Sequence, residues 1–222
     1  MAGQHVRSGD ILSRDAVDFM TVLHTGIDHL ESVVVPEDKV PLPQEAIKSL
    51  IDRWQKSGKP VRWGDYMIRR NESCGSTLFE QVIPIHKNKL GENIRFKLSD
   101  ESEGILHLLN LSPFLAELKN SQDQTLMVDE FDRSLHANML EWLIKDYLRS
   151  CCSKTANQLI ITINNTNILT QNIFRRDELW AIDKNSFGAA SIYSFSDFKS
   201  IRSDKDIRKI YLGGFMGAVP SL

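Results

Sequence analysis

The sequence predicts an α/β fold in which a mostly parallel sheet is flanked by helices, with a small antiparallel β segment before it. Two observations carry this prediction. Over the C-terminal part of the chain, apolar runs with strand periodicity alternate with runs of helical periodicity, as they do where helices connect parallel strands. Before them, three runs rich in β-branched and aromatic residues follow one another without a helical run between them, which is typical of antiparallel strands.

Residues 1–97 are expected to form a helical and antiparallel β part. A helix is predicted at residues 15–24, where Thr25-Gly26 stops it, and a strand at residues 30–35. Pro43 precedes a second helix, residues 44–56, whose apolar side chains recur at helical spacing before Ser57-Gly58. The predicted antiparallel strands are residues 63–70, 78–86 and 93–98.

Residues 98–222 are expected to form the larger α/β part, with a boundary near Leu98. Helices are predicted at residues 102–118 and 136–149. Strands are predicted at residues 125–129, 158–163, 179–184 and 191–195.

The composition is that of an ordinary globular protein. The chain has 222 residues, of which 41% are hydrophobic and 25% charged, with a formal net charge of -2. This balance requires neither a nucleic-acid nor a membrane partner, although it leaves local contact with nucleic acid open. Apolar runs fall far short of the roughly 20 residues that span a bilayer. Without a secretory signal or an even disulfide framework among three cysteines, the sequence predicts a soluble, cytoplasmic protein.

The strongest local signal is an apolar run, Thr125 to Val128, followed directly by Asp129 and Glu130. Such a run suits a buried parallel strand, and ligands of α/β sheets bind beyond the carboxyl ends of strands. Two acids at that end are placed to meet a ligand or a magnesium ion. A core strand that ends at a solvated acidic turn is the alternative, and these residues alone leave both readings open.

A second signal is the helix start Ser102-Glu103-Gly104. Small residues at a helix N-terminus expose backbone N–H groups and a hydroxyl, and the helix dipole adds to their attraction for a phosphate oxygen. The alternative is that Ser102 or Ser99 is an ordinary N-cap.

In their order and spacing these segments resemble the C-terminal half of ABC-type (SMC/OLD-like) ATP/GTP-binding proteins of the abortive-infection, Septu-like and retron-associated phage-defence ATPases. The resemblance covers residues 78–222 well and the first part of the chain loosely. It implies the C-terminal lobe of an ABC-type head with the P-loop NTPase fold. The segments that carry it are LSDESEGI, LMVDEFDRSLH, NQLIITINNTNIL, RRDELWAIDK, SIYSFSDF and YLGGFMGAVP.

The resemblance implies roles for residues in four motifs. Ser102 and Gly104 match the signature, which reaches the γ-phosphate of ATP held by an opposing protomer. Asp129 matches the Walker B acid that binds magnesium, and Glu130 matches the general base. The D-loop, which crosses the dimer interface, is matched by Ser134, Leu135 and His136.

At three further positions the sequence departs from the family, and two arginines have more than one possible role. Asn164 stands where the family has its switch histidine; it can hydrogen-bond a γ-phosphate or a water, but it cannot take up a proton near neutral pH. Ile105 and Ala137 replace the usual threonine and proline. Arg175 and Arg176 are either phosphate or nucleic-acid contacts, or surface residues paired with neighbouring acids.

The largest departure is that no G-x-x-x-x-G-K-[ST] sequence occurs, so the Walker A loop that cradles the phosphates is absent. ATP and Mg²⁺ are therefore expected only with a complementing Walker A lobe. The first functional hypothesis is the C-terminal lobe of an ATP-binding and ATP-hydrolysing ABC-type ATPase of phage defence, working as a homodimer or with a Walker A-bearing chain. The alternative is a degenerate, non-catalytic module that binds a partner such as a nuclease or a toxin.

A metal-dependent nuclease is a third hypothesis. It would need three or more converging carboxylates. Asp129, Glu130 and Asp132 are too close in sequence to face one ion together, and this disfavours it.

Overall fold

The protein is described from a computed structural model, in which the chain forms two compact units. The first comprises Met1–Met127 and Cys151–Ile160, and the second Val128–Ser150 and Ile161–Leu222. Each unit has a hydrophobic cluster of its own. The residues that the structure describes are 14–71, 75–152, 156–170, 172–198 and 206–215.

A five-stranded antiparallel sheet dominates the first unit. The strands are β1 (Ile27–Val34), β2 (Val61–Trp63), β3 (Tyr66–Arg70), β4 (Thr77–Lys87) and β5 (Asn93–Arg95). They lie in the order β1-β4-β3-β2, and β5 pairs with β4. With 11 residues, β4 is long enough to pair with β1, β3 and β5, and it is therefore the centre of the sheet.

Three helices belong to this unit: α1 (Arg14–Val22), α2 (Gln44–Ser57) and α3 (Glu103–Asn120). The helical spacing of Ile47 and Leu50 on α2 places both in one apolar stripe, and both are buried in a cluster with Ile68 and Phe79 of the sheet. Gly58 ends α2 in the left-handed conformation, with φ of 64°, a C-terminal stop that glycine adopts without strain.

A parallel strand pair, β6 (Thr125–Val128) and β7 (Gln158–Ile161), contains the boundary between the units. The Gln158 N–H donates to the carbonyl of Gln124, and the Thr162 N–H donates to that of Val128. Because the partner numbers rise together, the strands run in the same direction. Helix α4 (Ala137–Ser150) lies between them in sequence, as in a βαβ connection.

The second unit contains α4, a β-hairpin and a short helix. The hairpin consists of β8 (Trp180–Lys184) and β9 (Ala190–Ser194), which pair antiparallel, and the helix is α5 (Ile207–Leu212). Buried residues of α4 recur at helical spacing from Leu140 to Tyr147. The cluster of this unit is formed by Leu169, Leu179, Ala181, Phe195 and Ile207.

The predicted fold class is wrong: the structure is not a mostly parallel sheet flanked by helices, and it does not have the parallel sheet of a P-loop NTPase or ABC-type head. The largest sheet is antiparallel, and among the described strands only β6 and β7 pair in parallel. The error has two sources. The predicted strands at residues 179–184 and 191–195 have no helix between them, and they form a hairpin. The first predicted strand joins the antiparallel segment, which is consequently larger than expected.

The expected burial of β6 is also wrong. β6 and β7 are neighbours, as predicted, but the pair is not the centre of a sheet covered on both faces. Met127 is 73% exposed and Ile160 is 48% exposed, and exposed residues alternate with half-buried ones along both strands. This alternation is the pattern of a sheet with one open face.

None of the helices in the described part of the chain combines the length and the apolar character that crossing a membrane requires.

Candidate functional site

The candidate site begins where β6 ends, at Asp129 and Glu130, both of which are exposed. The Thr162 hydroxyl, at the end of β7, donates to Oδ1 of Asp129 and accepts the backbone N–H of Glu130 at 2.8 Å. The Phe131 N–H donates to the Thr162 carbonyl at 3.0 Å, and the Phe131 side chain is fully buried. One threonine therefore orients the first acid and fixes the backbone of the second.

The backbone of Glu130 adopts a left-handed conformation, with φ of 51°. This region is unfavourable for residues with a Cβ atom. The buried Phe131 and the two hydrogen bonds to Thr162 hold the backbone there. The strain lies at the residue that the sequence predicts as a general base.

Asp132 ties the turn after β6 to the segment after β7. Its Oδ2 accepts the backbone N–H groups of Asn164 at 2.9 Å and Asn165 at 2.7 Å. Its Oδ1 is buried and has no hydrogen-bond partner among the described residues. Asp132 therefore serves the backbone of a neighbouring segment, and its carboxylate does not join those of Asp129 and Glu130 as a third ligand.

An open concavity of about 560 Å³ lies over this turn. Its lining is polar and carries charges of both signs, so it suits a charged, hydrated ligand rather than an apolar one. The lining residues are Glu130, Asp132, Arg133, Ser134 and Asn164.

Asn164 therefore lies at the edge of the same concavity as Glu130, although 34 positions separate them in sequence. Its backbone is fixed by Asp132, and its side chain is exposed. The amide can donate to or accept from a ligand, but it offers no group that titrates near neutral pH.

The three residues predicted as a D-loop have different local roles. Ser134 lines the concavity with a left-handed backbone, at φ of 56°, and Leu135 is buried. Nδ1 of His136 accepts the Asn138 N–H at 3.2 Å. The backbone carbonyl of His136 accepts the N–H groups of Met139 and Leu140. His136 thus caps the start of α4, and it holds this role with Nδ1 unprotonated.

Ser102 and Gly104 belong to the first unit and are described within it. Ser102 is the N-cap of α3, where its Oγ accepts the Ile105 N–H at 3.3 Å. The segment before the helix is held by Glu101, whose Oε1 lies 2.6 Å from Nε2 of His86. Ser102 is exposed and Gly104 is half-buried. Ser102 is therefore an ordinary N-cap, as the alternative predicted.

Arg175, the first of the two arginines before β8, follows the ion-pair alternative. Arg175 contacts Asp177 at 3.1 Å and Glu178 at 3.2 Å. The hydrogen bond from Arg175 lowers the pKa of Asp177, and the same hydrogen bond raises the pKa of Arg175. Arg175 is thus neutralised within its own turn, which makes it a poor phosphate ligand.

No protein-family model and no curated protein matches this chain. The geometry of the turn after β6 therefore carries the functional argument.

The oxygen atoms at this turn fit a magnesium ion in part. Mg²⁺ keeps several waters and takes one or two protein carboxylates together with phosphate oxygens. Asp129, Glu130 and the Thr162 hydroxyl offer such oxygens. Within the described residues no group of three or more His, Cys, Asp or Glu side chains is arranged to hold a metal ion, so waters or another ligand would fill the remaining coordination positions of a magnesium ion.

Sequence reasoning missed Thr162 as a site residue. The signal was a polar residue, Thr162, between Ile161 and Ile163 at the end of an apolar strand. Thr162 is exposed, and because β6 and β7 are parallel and end together, its hydroxyl lies beside Asp129.

Proposed function

We propose that the turn after β6 supplies the magnesium-binding and water-polarising acids of an ATP-binding and ATP-hydrolysing assembly. In this proposal Asp129 binds Mg²⁺, Glu130 polarises the attacking water, and Asn164 contacts the γ-phosphate or that water. The phosphate-binding loop comes from another segment or chain. The assembly acts in phage defence in the cytoplasm, where ATP is available and thiols such as Cys151 and Cys152 stay reduced.

The orientation of Asp129 and Glu130 is the observation that supports this proposal most. Thr162 holds both residues at the ends of two parallel strands, and the open concavity beside them accommodates a polar ligand. A bound magnesium ion would neutralise phosphate charge, and the protein's part is to place its oxygen ligands and the base. The proposal needs only this strand pair and not a parallel sheet throughout the chain.

The open face of the strand pair supports a site completed from elsewhere. Parallel strands are normally covered on both faces, and a two-stranded sheet is marginal by itself. On these strands, Met127 is mostly exposed and Ile160 is about half exposed. A covering element that brings the phosphate-binding loop would bury both side chains.

A second candidate function is a non-catalytic module that binds a partner nuclease or toxin. It is favoured by Asn164, which cannot act as a proton acceptor, and by Ser102, whose hydroxyl is engaged in capping its own helix. The two candidates differ in whether Glu130 matters for turnover.

The test is calorimetry with ATP and magnesium, followed by phosphate release, on the chain mixed with a Walker A-bearing lobe. We expect Asp129→Asn to abolish magnesium-dependent ATP binding. Glu130→Gln should retain binding and slow turnover at least about 100-fold, in the range found for general bases.

The matched control is Glu141→Gln on α4, which removes an acid that pairs with Lys145 on its own helix face and should leave binding and turnover unchanged. Turnover by Glu130→Gln at the rate of the natural chain would overturn the catalytic proposal. Binding of a nuclease or toxin by a chain that never binds ATP would favour the second candidate.

A further inference from the structure

The outer face of the β8–β9 hairpin carries a continuous apolar stripe. Ile182 lies directly opposite Ile192, and Trp180 is two residues before Ile182 on the same strand, so all three side chains share one face. Ala181, between them in sequence, is buried in the cluster of the second unit on the other face. We call Trp180, Ile182 and Ile192 the hairpin stripe.

The hairpin stripe is exposed. Trp180 is 58%, Ile182 63% and Ile192 65% exposed. Large side chains present roughly 150–250 Å² each when fully exposed, so the stripe offers on the order of 400 Å². Contiguous apolar patches of this size on a protein surface are often interaction sites.

The geometry points to a second copy of this chain as the occupant: we propose that two hairpin stripes pack face to face about a two-fold axis through the Ile182–Ile192 pair. The stripe has its aromatic group, Trp180, at one end, and the cation of the same face, Lys184, at the other. If the two-fold axis runs across the strands, in the plane between the two faces, it brings each Lys184 over the partner's Trp180, where the ammonium group and the indole ring attract each other.

The area is consistent with such a pair. Two stripes together bury roughly 800 Å², which is below the roughly 1,000 Å² of a stable specific interface and in the range of a transient one. A contact of this size predicts a weak, reversible dimer. The association depends on the hairpin and not on the turn after β6, so it stands independently of ATP binding.

The experiment is sedimentation velocity of the full chain from micromolar to submillimolar concentrations. We expect a concentration-dependent dimer of the natural chain. Replacing both isoleucines (Ile182→Glu with Ile192→Glu) should raise the Kd at least about 30-fold, as removal of central interface contacts does. Leu90→Glu is the control, because Leu90 is 82% exposed on another turn and its replacement should leave the dimer intact.

A chain with both isoleucines replaced by lysine should also be monomeric, and mixing it with the doubly acidic chain should restore a dimer containing one of each. Trp180→Ser, which adds no charge, should also raise the Kd of the dimer. A natural chain that stays monomeric throughout, or a dimer that survives all three variants, would overturn the proposal. Circular dichroism separates loss of the dimer from loss of fold, and restoration on mixing excludes misfolding of either charged chain.

Discussion

At the scale of single residues, Asp132 shows how one carboxylate organises a turn. It accepts two backbone N–H groups from the segment that follows β7, and it thereby fixes the position of Asn164 beside Glu130. Such a carboxylate is a structural support for the candidate site, and the order of the site depends on it.

Asp132→Ala should therefore lower the free energy of unfolding by about 1–3 kcal/mol, because it removes the oxygen that accepts both N–H groups and leaves them without an acceptor. Asp132→Asn keeps one acceptor oxygen and should cost less. The measurement is urea unfolding followed by circular dichroism. An unchanged midpoint for Asp132→Ala would contradict this role.

Tyr193 has a buried hydroxyl without a hydrogen-bond partner among the described residues. Burial, followed by the charges of Asp183 and Tyr211, raises the pKa of Tyr193 above its ordinary value of 10.0. Tyr193→Phe removes a polar atom that gains nothing in the folded state, so we expect the free energy of unfolding to stay the same or to rise by up to about 1 kcal/mol.

The same pKa shift makes the folding stability depend on pH. The folded chain keeps the Tyr193 proton at pH values where the unfolded chain loses it, so folding stability is retained below about pH 10 and falls as the pH rises above it. Tyr193→Phe should fall less steeply in alkaline solution than the natural chain. Parallel unfolding curves of the two proteins from neutral to alkaline pH would contradict the shift.

At the scale of elements, the start of α3 combines a structural role with a proposed one. Ser102 caps the helix through the Ile105 N–H, while the resemblance assigns it a phosphate contact in trans. The two roles can be separated because aspartate caps a helix as well as serine does but repels phosphate.

Ser102→Ala should lower the free energy of unfolding by about 1 kcal/mol, and Ser102→Asp should restore it. In the assembly with a Walker A lobe, Ser102→Asp should nevertheless weaken ATP binding if the signature role holds. Thermal unfolding and calorimetry on the same three proteins make the comparison. A stable Ser102→Asp chain that binds ATP normally would leave Ser102 with the capping role alone.

At the scale of the whole molecule, the sequence contains no G-x-x-x-x-G-K-[ST] loop, the segment whose backbone amides and lysine hold a triphosphate. Those groups offset the phosphate charge that is desolvated on binding. Asp129 and Glu130 repel phosphate unless a metal ion lies between these carboxylates and the phosphate.

The isolated chain should consequently show no ATP hydrolysis above background and at best weak nucleotide affinity. Calorimetry with ATP and magnesium, followed by phosphate release, measures both properties. Micromolar binding or steady turnover by the chain alone would reveal a phosphate site other than the proposed one.

Much of the local structure was predictable from sequence. Gly58 ends α2 and Ser102 begins α3 because backbone conformation and capping depend on neighbouring residues. The site could be predicted only in part. Asp129 and Glu130 follow an apolar run that is visible in the sequence, but the hydroxyl of Thr162, which orients them, lies 33 positions away from Asp129.

The sequence by itself determined the positions of α1 to α4, since helical periods and stop signals are local properties of the chain. It did not determine every strand, because the single strand predicted at residues 63–70 is two strands, β2 and β3, joined by a turn. Only the tertiary structure decided which strands pair and in which direction. An alternation of apolar residues suits both parallel and antiparallel partners, and contacts distant in sequence select between them. For this reason β1 pairs with the distant β4, β6 and β7 form an exposed parallel pair, and Asp132 accepts the backbone N–H of Asn164.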